Sequence, residues 1–280
     1  MTHPAITAPV PTFIYGTAWK EDETRRLTGL ALEAGFTAID TANQRRHYHE
    51  AEVGAGLADH LAARSVSREA LFLQTKFTAR RGQDHRLPYD PRADVATQVE
   101  QSFASSLEHL GTSYIDSFVL HGPSSPTTLT DEDWQAWQAM EGLARAGRTR
   151  FLGVSNVSRA QLDVLLAHAA VQPRFVQNRC HARRRWDAEV RALCTSRGIR
   201  YQGFSLLTAN PEILRHAAVR KIASRLGATP AQVVFAFALA VGMLPLTGTT
   251  GRAHMAEDLA SAALVLAPAE VALFETLSSS

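Results

Sequence analysis

Four polar side chains stand late in, or just after, short apolar runs. Asp40 closes Thr37-Ala38-Ile39, Lys76 follows Leu71-Phe72-Leu73-Gln74-Thr75, and His121 follows Phe118-Val119-Leu120. Tyr48 lies eight residues beyond Asp40. A carboxylate, an ammonium, an imidazole and a phenol can hold and exchange protons, provided the fold brings them together. Each also has a plainer reading. Asp40 could anchor the loop that follows it, Tyr48 could pack at a helix start, and His121, before Gly122-Pro123, could sit satisfied at a turn. Lys76 is the hardest to dismiss, because a lysine is almost never fully buried without a partner. Asp40 on the neighbouring run is that partner. An ion pair in such a place costs desolvation, so function explains it better than stability does.

The elements that must position these groups alternate regularly. Eight short apolar runs read as strands buried on both faces: Phe13–Thr17, Thr37–Asp40, Leu71–Phe77, Asp116–Gly122, Phe151–Asn156, Phe175–Cys180, Arg200–Ser205 and Met243–Gly248. Helical segments lie between them. Leu27, Leu30, Ala31 and Ala34 repeat at helical spacing before Gly35, a natural C-cap. Ser158 to Gln161 and Thr229 to Gln232 read as capping boxes, the second with Pro230 at its first helical position. Segment 230–246 reads as a buried helix followed by a strand, and 78–91 as one longer surface loop. Ser278–Ser280 reads as a frayed tail. Eight strand–helix units predict an α/β fold, a single-domain (β/α)8 TIM barrel, with an open doubly wound sheet as the alternative. Barrel chemistry sits at the C-terminal ends of the strands, where Asp40, Lys76, His121 and Tyr48 fall.

The chain has 280 residues, 45% hydrophobic and 20% charged, with a formal net charge of +2. That balance gives no strong pull toward nucleic acid or membranes. The run Arg183-Arg184-Arg185 reads as a solvated loop. Cys180 and Cys194 form no framework, which fits a reducing compartment. Cys194 reads as a small core residue. Residues 1–12 lack the pattern of a signal peptide, and no apolar run approaches the ~18 residues of a membrane span. A cytoplasmic protein with no need to oligomerise is expected. GxGxxG is missing after the first run, where Gly16-Thr17-Ala18-Trp19-Lys20 stands, and Gly54-Ala55-Gly56 lies inside a helical pattern. GxxxxGK[ST], HExxH and GxSxG are absent too. No metal site is expected: a metal-dependent barrel hydrolase would need clustered ligands at the strand ends, and only Asp40 and His121 are placed for that.

Gly35-Phe36-Thr37-Ala38-Ile39-Asp40-Thr41-Ala42 resembles the signature of the aldo-keto reductases. Thr75-Lys76, Val119-Leu120-His121-Gly122-Pro123, Leu152-Gly153-Val154-Ser155-Asn156, Val176-Gln177, Gly203-Phe204-Ser205 and Thr229-Pro230-Ala231-Gln232-Val233 follow in the same order, from about Gly16 to Leu259. The resemblance implies a barrel that holds a nicotinamide cofactor across its mouth without a Rossmann domain. It implies hydride transfer to a small-molecule carbonyl. Tyr48 then resembles the general acid. Its ordinary value near ~10 is too high for work near neutrality, and Lys76, oriented by Asp40, would lower it. His121 resembles the residue that aims the substrate carbonyl. Ser155, Asn156 and Gln177 match positions that hold the carboxamide, and Phe204 the aromatic under the nicotinamide ring. Gly16 and Thr17 match positions near the cofactor and Ser205 one near the pyrophosphate. Trp19 either lines the substrate pocket or covers the mouth.

The chain departs from that family in three places. Relatives set the tyrosine five residues after the aspartate; here Asn43-Gln44-Arg45-Arg46-His47 intervene, which could add Arg45, Arg46 or His47 to the pocket. After the eighth run, NADPH-specific relatives carry a lysine and an arginine for the 2′-phosphate. This chain has Leu246 at the lysine position and His254 or Arg252 at the other, with Thr247, Gly248 and Thr249 between. Hydroxyls and backbone N–H groups can still bind phosphate, so NADP(H) is the expected cofactor and NAD(H) the alternative. Finally, the chain stops within one helix length of Pro268, which predicts an open pocket. From another class, a catalytically silent cofactor sensor on the same barrel remains the alternative function.

Overall fold

The computed structural model of the chain describes residues 11–277; the readings of the first ten residues and of the Ser278–Ser280 tail lie outside them. Eight strands form a closed barrel in sequence order: β1 (Ile14–Gly16), β2 (Ala38–Asp40), β3 (Phe72–Phe77), β4 (Ile115–Leu120), β5 (Thr149–Ser155), β6 (Phe175–Arg179), β7 (Arg200–Phe204) and β8 (Leu244–Thr247). All neighbours are parallel, and β8 closes onto β1 with Ile14 opposite Leu246. The open-sheet alternative is therefore excluded. The eight expected runs each contain one strand except at two starts: β4 begins at Ile115 and β5 at Thr149, before the runs read from sequence.

Among the described residues, eleven helices surround the barrel: α1 (Thr24–Ala34), α2 (Glu50–Arg64), α3 (Val95–Leu110), α4 (Asp131–Arg145), α5 (Arg159–His168), α6 (Ala188–Ser196), α7 (Pro211–Arg215), α8 (Ala217–Leu226), α9 (Pro230–Ala240), α10 (Arg252–Ala260) and α11 (Pro268–Thr276). The capping boxes read from sequence close the starts of α5 and α9, where Ser158 and Thr229 each accept from the backbone three residues on. Gly35 ends α1 with φ +109°, a conformation that suits only glycine well. The main apolar core lies between barrel and helices, and both cysteines are buried. Burial pushes both thiols up to about 12, so neither is a ready nucleophile.

Gly54 and Gly56 serve packing, not phosphate. A Cβ at Gly54 would meet the His109 carbonyl oxygen of α3 at 1.8 Å, and one at Gly56 would meet the Arg25 carbonyl oxygen of α1 at 2.7 Å. Backbone touches backbone on both sides of α2.

The strand period of two sorts the barrel lumen into layers. Phe72, Gln74 and Lys76 point inward along β3; Phe175, Gln177 and Arg179 do so along β6. At the lower level Ile14, Ala38, Phe72, Phe175 and Leu244 form a small apolar cluster of their own. Above it lies a polar layer of Asp40, Gln74, Gln177 and Gln202, with Asp40 opposite Gln74 and Gln177 opposite Gln202 in the strand register. The mouth opens above that layer. Loop 78–91 is not simply a surface loop: it makes a short 3-10 turn at Arg80–Gly82 and buries Thr78, Gln83 and Tyr89. Sequence polarity concealed this: Thr78 and Gln83 are buried among hydrogen bonds, and Tyr89 packs on Phe77 of the apolar core while its hydroxyl donates to the Thr78 carbonyl.

Candidate active site

Lys76 is completely buried, and its ammonium donates to both carboxylate oxygens of Asp40 at 2.7 Å and to the Thr41 carbonyl at 2.8 Å. All three ammonium protons therefore have acceptors. Burial works against the charged ammonium, but Asp40 and Tyr48 outweigh it and hold Lys76 above the ordinary lysine value. Asp40 Oδ1 also accepts from Gln74 Nε2 at 2.7 Å and from Gln177 Nε2 at 3.0 Å. Gln202 ties the two glutamines together at 2.8 and 2.9 Å. Gln74 and Gln202 escaped the sequence reading, hidden inside apolar runs. The available signal was Gln74's place two residues before Lys76, on the same face of β3.

Tyr48 stands over this pair. The Lys76 ammonium is 5.0 Å from the centre of its ring, and the ring meets that of His121 edge-on at 6.0 Å. Burial drives the phenol above its ordinary value; Lys76 pulls it down, but the net direction is up. The expectation that Lys76 would lower the value thus holds for its own contribution and fails for the sum. Desolvation of a phenolate is the stronger effect here. His121 goes the other way. Burial, with Lys76 and His47 adding positive charge, brings it down to about 3, so the imidazole is neutral near pH 7. Its Nδ1 lies 2.6 Å from Thr78 Oγ1.

A cavity of about 650 Å³ spreads across the mouth, and Tyr48, His121, Asp40 and Trp19 line it. So do Gly16, Ser155, Asn156, Gln177, Phe204, Ser205, Thr247, Gly248 and Thr249. Ser155 donates to the Gln177 carbonyl at 2.7 Å, and Asn156 Nδ2 donates to the His121 carbonyl at 2.8 Å. Asn156 and Ser205 both take left-handed backbone (φ +54° and +57°), the kind of local strain found where a ligand is clamped. Thr247 is tied to Asp258 of α10 by a 2.7 Å hydrogen bond.

Lys76 lies beneath the mouth rather than in its wall, and three expected cofactor residues do not line it either. Thr17 is fully buried, with its hydroxyl donating to the Asp40 carbonyl at 3.0 Å, and supports β2 from behind. Arg252 forms an ion pair with Glu33 of α1 and lines a separate groove between α1, α2 and α10. His254 is exposed in the first turn of α10. A partner more than two hundred residues away claims Arg252, and no local pattern announces that.

Other residues line the cavity without having been read from sequence. Lys20 spans from the β1 loop to the Gly248 carbonyl, and burial lowers its pKa. Arg179 ends β6 in phase with Gln177 and has no ion-pair partner among the described residues. From the insertion, His47 alone reaches the wall; Arg45 turns toward Glu21 at 3.6 Å, and Arg46 is exposed. The His47 ring lies against Trp19, centroids 4.0 Å apart, and Trp19 remains 69% exposed at the rim.

With this geometry in hand, known proteins place the chain. The sequence profile of the aldo/keto reductase family matches residues 12–279. An aldo-keto reductase of Mycolicibacterium vanbaalenii is 30% identical over 231 residues, covering 82% of this chain and 74% of that one. The D-galacturonate reductase of Hypocrea jecorina is 29% identical over 259 residues, covering 86% and 78%. Among solved structures, an aldo-keto reductase from Bombyx mori in complex with NADP superposes with a TM-score of 0.78 at 24% identity, covering 97% of this chain and 93% of that one. The profile spans nearly the whole sequence, and the solved structure repeats the closed barrel. The chain belongs to the aldo/keto reductase family.

Proposed function

We propose that this chain is an NAD(P)H-dependent carbonyl reductase, with Tyr48 as general acid. One observation carries the reading: a fully buried, fully satisfied Lys76–Asp40 pair lies beneath a tyrosine that faces a large cavity, beside a neutral imidazole. Lys76 and Asp40 hold positive charge under the phenol. That charge steadies the phenolate left when Tyr48 gives its proton to the carbonyl oxygen. His121, uncharged, donates a hydrogen bond that aims the carbonyl without competing for the proton.

The residues present fit a nicotinamide carboxamide. Gln177 commits its amide nitrogen to Asp40 and Gln202, and Asn156 commits its own to His121 and Ser155. The oxygens of both side chains have no protein partner among the described residues, so two acceptors remain for an amide NH₂. Phe204 offers a half-buried ring to the same cavity. When bound, the nicotinamide supplies the hydride. Lys20 and Arg179 add positive charge to the cavity wall, where a pyrophosphate needs it. NADP(H) is the preferred cofactor in this reading and NAD(H) the alternative, since Arg252 would have to leave Glu33 to assist a 2′-phosphate.

Titration of the purified chain with NADPH and with NADH, followed by fluorescence, tests the reading, together with turnover on a panel of aldehydes and ketones. Binding plus turnover that Tyr48→Phe abolishes supports it. Binding without turnover on the whole panel would favour the silent sensor.

A further inference from the structure

His121 Nδ1 faces a hydroxyl, not a carboxylate or a carbonyl, and the surroundings of that hydroxyl are constrained from three sides. Thr78 is buried, just past the end of β3. Its carbonyl accepts from the Tyr89 hydroxyl at 2.9 Å and from Gln83 Nε2 at 3.3 Å. Its methyl rests where Gly82 lacks a side chain: a Cβ there would lie 2.6 Å from Thr78 Cγ2. With carbonyl and methyl both fixed, the hydroxyl has one direction left, toward the imidazole at 2.6 Å.

The segment that fixes Thr78 is itself stitched to the loop before Tyr48. Gln44 Nε2 donates to the Gly82 carbonyl at 2.7 Å, and Gln83 Nε2 donates to the Asn43 carbonyl at 2.9 Å. The inserted residues and loop 78–91 thus form one clasp, with Thr78 at its inner end.

A neutral histidine carries its proton on one nitrogen, and the hydrogen bond at the other nitrogen decides which. If Nδ1 held the proton, Thr78 would accept it and its own buried O–H would be left without a partner, since no other acceptor for it exists among the described residues. An unpaired buried donor gives up its hydration and gains nothing in return. The opposite arrangement satisfies both groups. We propose that Thr78 is a positioning residue that donates to His121 Nδ1, so that Nε2 carries the ring proton and presents it to the carbonyl oxygen in the mouth. The proposal rests on the reductase reading for its consequence in turnover, but not for the tautomer itself.

The test uses the whole chain labelled with ¹⁵N-histidine, the His121 signals being identified by their loss in His121→Gln. The wild-type chain is expected to show an unprotonated Nδ1 and a protonated Nε2. Thr78→Val, close to isosteric, is expected to mix the tautomers and to lower kcat about 10–100-fold, with KM nearly unchanged, because the lost interaction matters mainly in the transition state. Thr78→Ser restores the hydroxyl and is expected to recover both the spectrum and most of kcat. A protonated Nδ1 in the wild-type chain, or a Thr78→Val spectrum identical to it, overturns the proposal. The spectrum needs no substrate, so a wild-type chain that binds no nicotinamide and reduces no carbonyl would sink the reductase reading while leaving the tautomer decided.

Discussion

Gln177 of β6 donates to Asp40 Oδ1 of β2 across the barrel lumen at 3.0 Å. The oxygen that orients Lys76 is thus also the anchor for a side chain that lines the cavity. In the proposed function, proton chemistry and cofactor grip therefore share one acceptor.

That sharing sets what loss of the carboxylate does. Asp40→Ala leaves the Lys76 charge buried and uncompensated, which is expected to destabilise the fold by about 3–5 kcal/mol. Asp40→Ala combined with Lys76→Met removes both charges and is expected to recover a good part of that loss. Urea unfolding of the wild-type chain and the two variants checks it; equal losses for the single Asp40 and the double variant would contradict the coupling.

Removing the phenol hydroxyl is expected to act on the chemical step alone. Tyr48→Phe keeps the ring that packs near His121, so cofactor affinity should stay within about two-fold while kcat falls ~10²–10⁴-fold. Fluorescence titration and single-turnover rates separate the two effects.

The pH dependence follows from the directions at Tyr48 and His121. In the proposed function, reduction needs a protonated phenol. With that phenol held above its ordinary value, the rate should stay level through neutrality and fall only on the alkaline side. Lys76 pulls the phenol down, so in Lys76→Met the residual alkaline limb should move to higher pH. His121 has a folded value of about 3 against an ordinary 6.5. The unfolded chain therefore takes up this proton first. The contribution of a neutral His121 to stability is complete above about 6.5 and is lost as pH falls toward 3. In His121→Gln, melting temperature should depend less steeply on pH across that window.

Asp258 provides the opposite sign. Burial lifts its carboxyl to about 6 from the ordinary 3.8, with the Thr247 hydroxyl opposing the rise. Its charged form is penalised in the fold, so stability is lost as pH rises through 6. Asp258→Asn should be more stable than the wild-type chain at pH 8 by ~1–3 kcal/mol and close to it at pH 4. Denaturant midpoints at the two pH values decide it.

Cofactor affinity should separate the cations. Arg252 is occupied by Glu33 on the surface, so Arg252→Ala should change the Kd for either cofactor by less than about two-fold, in keeping with the small worth of exposed pairs. Lys20→Ala removes positive charge from the cavity wall and should weaken both cofactors about ten-fold, ~1.4 kcal/mol.

The barrel was legible because strands buried on both faces read as unbroken apolar runs. Leu71–Phe77 announces Phe72–Phe77 almost residue for residue, and Ser158 and Thr229 mark their helix starts by a local hydrogen bond that sequence spacing reveals. Asp40, Lys76 and His121 were legible for a related reason, as polar side chains at the ends of such runs, whereas Tyr48, out in a loop, was picked out by the family resemblance. Features set by distant partners were not. Arg252 is drawn away by Glu33, Gln74 meets Gln202 across the lumen, and Thr78 gains its meaning from Gly82, Gln83 and Tyr89. The net rise at Tyr48 was missed as well, because desolvation depends on how closely the mouth packs, which no motif encodes.

The glycine contacts of α2 explain how the chain carries extra residues before Tyr48. With Gly54 against the α3 backbone and Gly56 against that of α1, the helix has no side chains at these contacts to adjust, and Glu50 at its first turn is bonded to Thr75 of β3 and, at 3.2 Å, to His109 of α3. Tyr48, two residues upstream, is thus placed by the helix it precedes rather than measured out from the strand behind it. Slack between Asp40 and Tyr48 accumulates in the loop and leaves the phenol where it is. The length of that loop then acts as a dial on pocket shape, and in the proposed function the proton donor is its fixed end.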